Sequence, residues 1–181
     1  MRWPPVYDAD ELATTIQDLV TSGKLNACFF RSQASLEGIC QGDVIELHAG
    51  VPLLAEDGQP AVHDDVRYWM VIGNTCDFYR PLEEVAWSQL VPLVDLGSDR
   101  DLSDGELATL RGYRYTRRFY VPPWSDAVKG RHHVADFLRP VAVHKKALTD
   151  TTVMAGLDLY AWLLFHSCLV RFLARDDGRF D

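Results

Sequence analysis

YWMVIGN, residues 68–74, is the stretch on which the fold turns. Trp69, Met70, Val71 and Ile72 follow one another without a polar residue, and Gly73-Asn74 closes the run. A strand with one solvated face alternates apolar and polar side chains, whereas an unbroken apolar run implies that both faces are covered. The pattern predicts a central strand over 66–74, so a sheet must extend to either side of it.

The neighbouring segments supply that sheet. GDVIELHAG (42–50) alternates Val44, Glu46 and His48 against Ile45 and Leu47, as a half-buried strand does. EDGQP (56–60) is dense in turn residues and reads as the tip of a hairpin. VAWSQLVPLVDL (85–96) is a strand whose Pro92 suggests an edge or a bulge, since proline cannot donate to a ladder. RYTRRFYVPP (114–123) alternates basic with aromatic or apolar residues, and HHVADFLRPVAVH (132–144) is one strand, or two broken at Pro140. Three helices complete the pattern. In the first, 8–22, Asp8 caps with Glu11 three residues on, and Leu12, Ile16, Leu19 and Val20 form one buried face that Gly23 ends. The others are 102–110 and a long one over 151–175, with Leu157, Ala161, Leu164, Phe165, Cys168, Leu169 and Phe172 inward.

Composition sets the class. With 48% hydrophobic and 11% aromatic residues in 181, one domain with a substantial core is expected rather than disorder. No apolar run reaches a membrane-spanning length and MRWPPVYDADEL lacks a signal-peptide core, so a cytoplasmic protein with no membrane partner is expected. Cys28, Cys40, Cys76 and Cys168 have no zinc-like spacing and read as reduced thiols. The net charge of −8 opposes simple binding to nucleic acid. Its distribution is uneven: residues 111–146 hold nine Lys/Arg and two Asp/Glu, while residues 1–110 hold six against nineteen. That basic segment is either a polyanion site or a solvated face matched to the acidic remainder.

Gly42-Asp43-Val44-Ile45, then Trp69-Met70-Val71-Ile72, then Leu90-Val91-Pro92-Leu93 resemble, in that order, the motif strands of the MazF/PemK plasmid-maintenance toxin superfamily. The likeness covers roughly residues 40–96 and extends weakly over 114–144. It implies an α+β fold: an SH3-like β-barrel (41–146) with an N-terminal helical extension (1–40) and a long C-terminal helix (147–181), all one domain. It also implies an RNA-directed, toxin-like or antiphage-defence protein, in its enzymatic form a degenerate endoribonuclease that needs no metal or cofactor. The alternative is a non-catalytic SH3-like module that docks a protein partner, antitoxin-like or a larger defence component, with a homodimer as one open state. Family members cleave RNA with an arginine at the start of the second motif strand and a threonine or serine just after the third. Arg67 lies close to the first position; Val94-Asp95 follow Leu93 in place of the hydroxyl, and Ser98 comes several residues late.

The residues assigned to that chemistry are few. Arg67, with an arginine from 114–118, is expected to stabilise charge on a scissile phosphate while the ribose 2′-OH attacks. His63 and Asp77 are the candidate bases. Arg114, Arg117 and Arg118 suit phosphate contacts, and Tyr115 and Tyr120 suit stacking on unpaired bases. His63-Asp64-Asp65 has the chemistry of a metal site, yet reads as a polar loop. His132 and His133 are adjacent in a strand and point to opposite faces, so at most one serves any given site. Cys76-Asp77 reads as turn chemistry, with Cys76 packing as a small apolar group. A nucleophilic thiolate would need a base brought by the fold, from His63, His132, His133 or His144.

Overall fold

The computed structural model describes residues 9–32, 38–48, 50–63, 66–149 and 151–174. Helices and antiparallel strands alternate irregularly: α1 (Ala9–Thr21), α2 (Lys24–Ala27), β1 (Val44–Glu46), β2 (Val51–Leu54), β3 (Pro60–His63), β4 (Tyr68–Val71) and α3 (Thr75–Phe78) come first. β5 (Trp87–Ser98), α4 (Asp104–Arg111), β6 (Arg118–Val121), β7 (Arg131–Asp136), β8 (Val141–His144), β9 (Thr152–Ala155) and α5 (Leu159–Leu173) follow. The fold is α+β. Its main sheet runs β6-β7-β5-β4-β1-β9 with β8 also on β5, and β2–β3 forms a separate hairpin.

β4 sits in the middle of this order and is buried along its whole length. Tyr68 and Met70 face one layer, with Val44, Val91 and Leu93 beneath Ala161, Leu164, Phe165 and Cys168 of α5. Trp69 and Val71 face the other, with Ile45, Leu90 and Leu148. Burying each such side chain stabilises the fold by about 1.5–3 kcal/mol. α1 packs on α5 through Ile16, with Leu12, Leu19 and Val20 alongside, as the periodicity predicts; its proposed cap Asp8 lies outside the described residues.

Three elements differ from the sequence pattern. β1 is only three residues long, and all three are buried rather than half-buried, because β4 flanks it on one side and β9 on the other. β9 comes from Thr152–Ala155, which helical spacing had joined to the last helix; β-branched Thr152 and Val153 suit the ladder, and the helix starts only after Asp158. Pro92 lies in a central strand, opposite Trp69. The Val71 N–H donates to the Asp43 carbonyl on β1's side (2.9 Å), so by antiparallel alternation Trp69 and Pro92 form a non-hydrogen-bonded pair. The Pro92 nitrogen then faces β5's other edge, where pairing with β8 ends at Leu90 and pairing with β7 begins at Leu93. β7 and β8 are the single run 132–144 broken by the turn at Phe137–Pro140.

Asp43 ties the termini to this sheet. Fully buried, it accepts from Arg31 Nη2 at 2.6 Å and from the Cys40 N–H at 2.8 Å. The Arg31 N–H meanwhile donates to the Gly156 carbonyl at 2.7 Å. Burial pushes the Asp43 carboxyl up to about 6, outweighing the Cys40 N–H and the Arg31 guanidinium, which pull it down.

Two outcomes are expected. In native-state hydrogen exchange the amides of Trp69 to Ile72 should be among the slowest in the chain; fast exchange there, with protection elsewhere, removes β4 as the centre of the sheet. For Asp43 the folded pKa lies above the unfolded value of 3.8, so its stabilising contribution is complete below about pH 4 and is lost as pH rises through about 6. The difference amounts to about 3 kcal/mol. Denaturant titrations at pH 4 and pH 7 should show that loss in the wild type but not in Asp43→Asn. Asp43→Ala, which strands Arg31, should cost about 3–5 kcal/mol.

Candidate functional site

A cleft of ≈ 420 Å³ opens at the N-terminal end of β4. Arg67, the residue before the strand, forms one wall. Its Nε donates to the buried Glu46 carboxylate on β1 at 2.5 Å, and its guanidinium lies 5.1 Å from the centre of the Tyr68 ring. The opposite wall comes from β5 and β7. Arg131 Nε donates to Asp95 Oδ2 at 2.5 Å, and Arg139 Nε donates to Asp136 Oδ2 at 3.0 Å. All three arginines are therefore anchored through Nε, and among the described residues no hydrogen bond engages the Nη groups of any of them. Their side chains stay well exposed, 68% for Arg67. Anchoring of this kind holds a guanidinium in place before a ligand arrives.

Asp95 is aimed into the cleft by a bulge in β5 between Asp95 and Ser98. Gly97 takes φ 91 there, and a Cβ on it would lie 2.5 Å from an Asp101 carboxylate oxygen, so only glycine fits. Burial raises the Asp95 carboxyl, but the bonds from Arg131 and the Gly97 N–H outweigh it and hold the group below the usual carboxylate range. His133 faces Asp95 across the β5–β7 pair, with Nε2 3.9 Å from Asp95 Oδ2. It is 3% exposed, its ring centre 4.8 Å from that of Trp124 and tilted by 59° to it, and burial lowers its pKa, so the ring is neutral near pH 7. Its Nδ1 is buried without a partner, as is the neighbouring Trp124 Nε1. Orphaned polar atoms beside an open cleft mark a place for a ligand or water.

The sequence-predicted residues do not gather in one site. Arg67 lines the cleft, and so does Asp95, which stands where the motif comparison has a hydroxyl. Asp77 lies on α3, beyond the opposite end of β4, 3.7 Å from Arg80. His63 pairs with Val51 in the β2–β3 hairpin; its side chain, and Asp64 and Asp65, lie outside the described residues. Arg114, Arg117 and Arg118 are exposed beside Tyr115 with no ion-pair partner among the described residues, while Tyr113, Phe119 and Tyr120 of the same segment turn inward. Arg118 stands opposite Asp136, on the face of the β6–β7 ribbon that carries His132, whereas the cleft takes His133.

Tyr120 is corrected outright. It is buried, and its hydroxyl is 3.0 Å from His132 Nδ1, so it offers no platform for a base. His132 Nε2 reaches Asp99 at 2.8 Å, which satisfies both ring nitrogens and makes it structural. The two histidines do point to opposite faces, as adjacent strand residues must. Cys76 is exposed on α3 rather than packed, and its one polar neighbour is Asp77 Oδ1 at 3.9 Å. No histidine hydrogen-bonds it among the described residues. The Asp77 and Arg80 carbonyls accept from the buried Lys145 Nζ, so this segment is a tethered turn.

Arg131 and Arg139 carry no local signal in the sequence; the β4–β5 and β5–β7 pairings bring β7 and the turn after it to Arg67. Among the described residues no group of three His, Cys, Asp or Glu is placed to hold a metal ion, and no helix is long and apolar enough to cross a membrane. No family model, curated protein or solved structure matches the chain.

Alkylation tests Cys76. Thiol reactivity follows thiolate fraction and exposure. Exposed Cys28 and Cys76 should react with iodoacetamide at comparable rates, and buried Cys168, its thiol pushed up to about 12, only on unfolding. A rate at Cys76 orders of magnitude above Cys28 would reinstate the nucleophile.

Proposed function

We propose that this chain is an RNA-directed protein of the toxin-like, SH3-barrel kind, and that a phosphodiester of single-stranded RNA binds in the Arg67 cleft. The observation that carries this is the convergence on one cleft of Arg67, which lies close to the arginine position of the motif resemblance, with Arg131 and His133. The barrel reading draws support from β5, a 12-residue strand bound on one edge by β4 and on the other by β8 and then β7. Arg114, Arg117, Arg118 and Tyr115 supply a second, outer contact to the same strand of RNA.

In this reading cleavage needs no metal. Arg67 and Arg131 direct their Nη donors at the phosphate oxygens, and charge-assisted pairs of this type are the strong ones. His133, kept neutral by burial, takes the proton of the ribose 2′-OH. The O2′–P bond forms as the P–O5′ bond breaks, leaving a 2′,3′-cyclic phosphate, while the departing O5′ takes a proton from water and His133 later returns its own to solvent. Asp77, on α3 beside Arg80, has no part in this step.

Binding and cleavage are separable in one experiment, anisotropy of labelled single-stranded RNA at low ionic strength followed by gel analysis without divalent ions. Each cleft arginine already has a carboxylate partner, so the salt dependence should come from the outer arginines. Replacing Arg117 and Arg118 by alanine should flatten the salt slope by roughly one to two units. Arg67→Lys, which keeps a cation beside Glu46, and His133→Gln should abolish cleavage with the slope unchanged. RNA bound but not cut removes the catalytic step. RNA neither bound nor cut removes the RNA reading altogether. A protein-docking module then takes its place, favoured by Leu159, Leu163 and Leu173, which are exposed on α5.

A further inference from the structure

A second and larger concavity, ≈ 760 Å³, lies between the turn Phe78–Leu82, the 3-10 helix Lys145–Leu148 and β9. It shares no lining residue with the Arg67 cleft. Arg80, Lys145 and Lys146 line it, with the Thr149 and Thr151 hydroxyls, and no carboxylate does among the described residues. In a chain of net charge −8 a groove with three cations is a local exception to the composition, although Arg80 has Asp77 at 3.7 Å.

Lys145 makes the groove more than a surface patch. It is 8% exposed, and Nζ donates to the Asp77 carbonyl at 2.7 Å and the Arg80 carbonyl at 2.8 Å. An ammonium carries three donors, so one is left without a partner among the described residues. An anion entering the groove can take that third donor in a charge-assisted bond. Beside the cations stands Tyr79, 68% exposed, its hydroxyl so close to Gly38 that a Cβ there would sit 3.0 Å away. The ring is thus steadied at the rim of the groove while remaining open to a ligand. Phe78 and Leu148 give the interior an apolar side.

We infer that this groove binds a nucleoside monophosphate: a phosphate at Lys145, Lys146 and Arg80, and a base stacked on Tyr79. A phosphate accepts from the cations and from the threonine hydroxyls, and an aromatic face suits any base. The volume lies within the usual range for small-ligand sites. The same chemistry is offered by a free nucleotide and by the 5′-phosphorylated end of an RNA. This inference does not rest on the Arg67 cleft and stands or falls separately from it.

Calorimetry on the full chain tests it with AMP, adenosine, inorganic phosphate, and a short RNA with or without a 5′-phosphate. AMP should bind, with adenosine and phosphate alone each at least about tenfold weaker, since each lacks half of the recognition. Lys146→Ala should weaken AMP about tenfold, and Tyr79→Ala should do the same for AMP while leaving inorganic phosphate unchanged. Both side chains are exposed, so these variants fold; Lys145→Met, which cuts a tether, serves only as a further check after its melting curve is measured. A 5′-phosphorylated RNA that outcompetes AMP, with its 5′-hydroxyl counterpart failing, identifies the RNA end as the source. AMP outcompeting that RNA identifies a free nucleotide. No AMP binding at millimolar concentration, or binding indifferent to Lys146→Ala and Tyr79→Ala, overturns the proposal. Arg67→Lys should leave AMP binding intact, which keeps this result distinct from the fate of the cleft.

Discussion

A strand made of Tyr68, Trp69, Met70 and Val71 has no face it can show to water, and the rest of the architecture is arranged around covering it. One face is met by α5 and the layer around Val44, Val91 and Leu93; the other by Ile45, Leu90 and Leu148. Because both faces are occupied, only the two ends of β4 reach the surface, and each end carries a concavity. Arg67 stands at one and Ile72, Gly73 and Asn74 at the other. The Arg67 cleft is thus a consequence of how the central strand is buried, since polar side chains near it have nowhere else to emerge.

Polar groups inside the molecule do a related job: they fasten irregular segments to the layers. Asp43 holds Arg31 and the Cys40 N–H where the N-terminal segment, β1 and the residues after β9 meet. Gln41 Nε2 donates to the Ile72 carbonyl at 2.9 Å, and Lys145 holds the two carbonyls that follow it in the turn. Each of these bonds adds only about 1 kcal/mol net, but leaving a buried partner unmatched costs more. That asymmetry makes them specify one arrangement of the loops rather than drive folding.

The arginines divide by the same logic. Arg67, Arg131 and Arg139 are each held by a carboxylate and so are positioned but electrically matched, which suits geometry-dependent contact. Arg114, Arg117 and Arg118 have no carboxylate partner among the described residues and contribute field rather than geometry. In an acidic chain, cations thus gather in two separate places, that segment and the groove at Lys145.

What the sequence by itself determined is local periodicity. The central strand, the Gly58 turn between β2 and β3, α1 with its Ile16 face and the break of the 132–144 run before β8 were all legible, because each depends on residues a few positions apart. Tertiary structure alone decided β9, since Thr152–Ala155 become a strand by pairing with β1 more than a hundred residues away. It alone buried Tyr120, whose alternation with arginines suits a binding face equally well until His132 arrives to bond its hydroxyl. Arg67, Asp95, Arg131 and His133 meet only through the β4–β5–β7 register, and Asp77, closer to Arg67 in sequence than any of those three, is carried to the far end of the strand. Spacing along a chain fixes which side of one element a residue takes; which elements become neighbours is set by how their apolar faces are covered together, and that is a property of the whole fold.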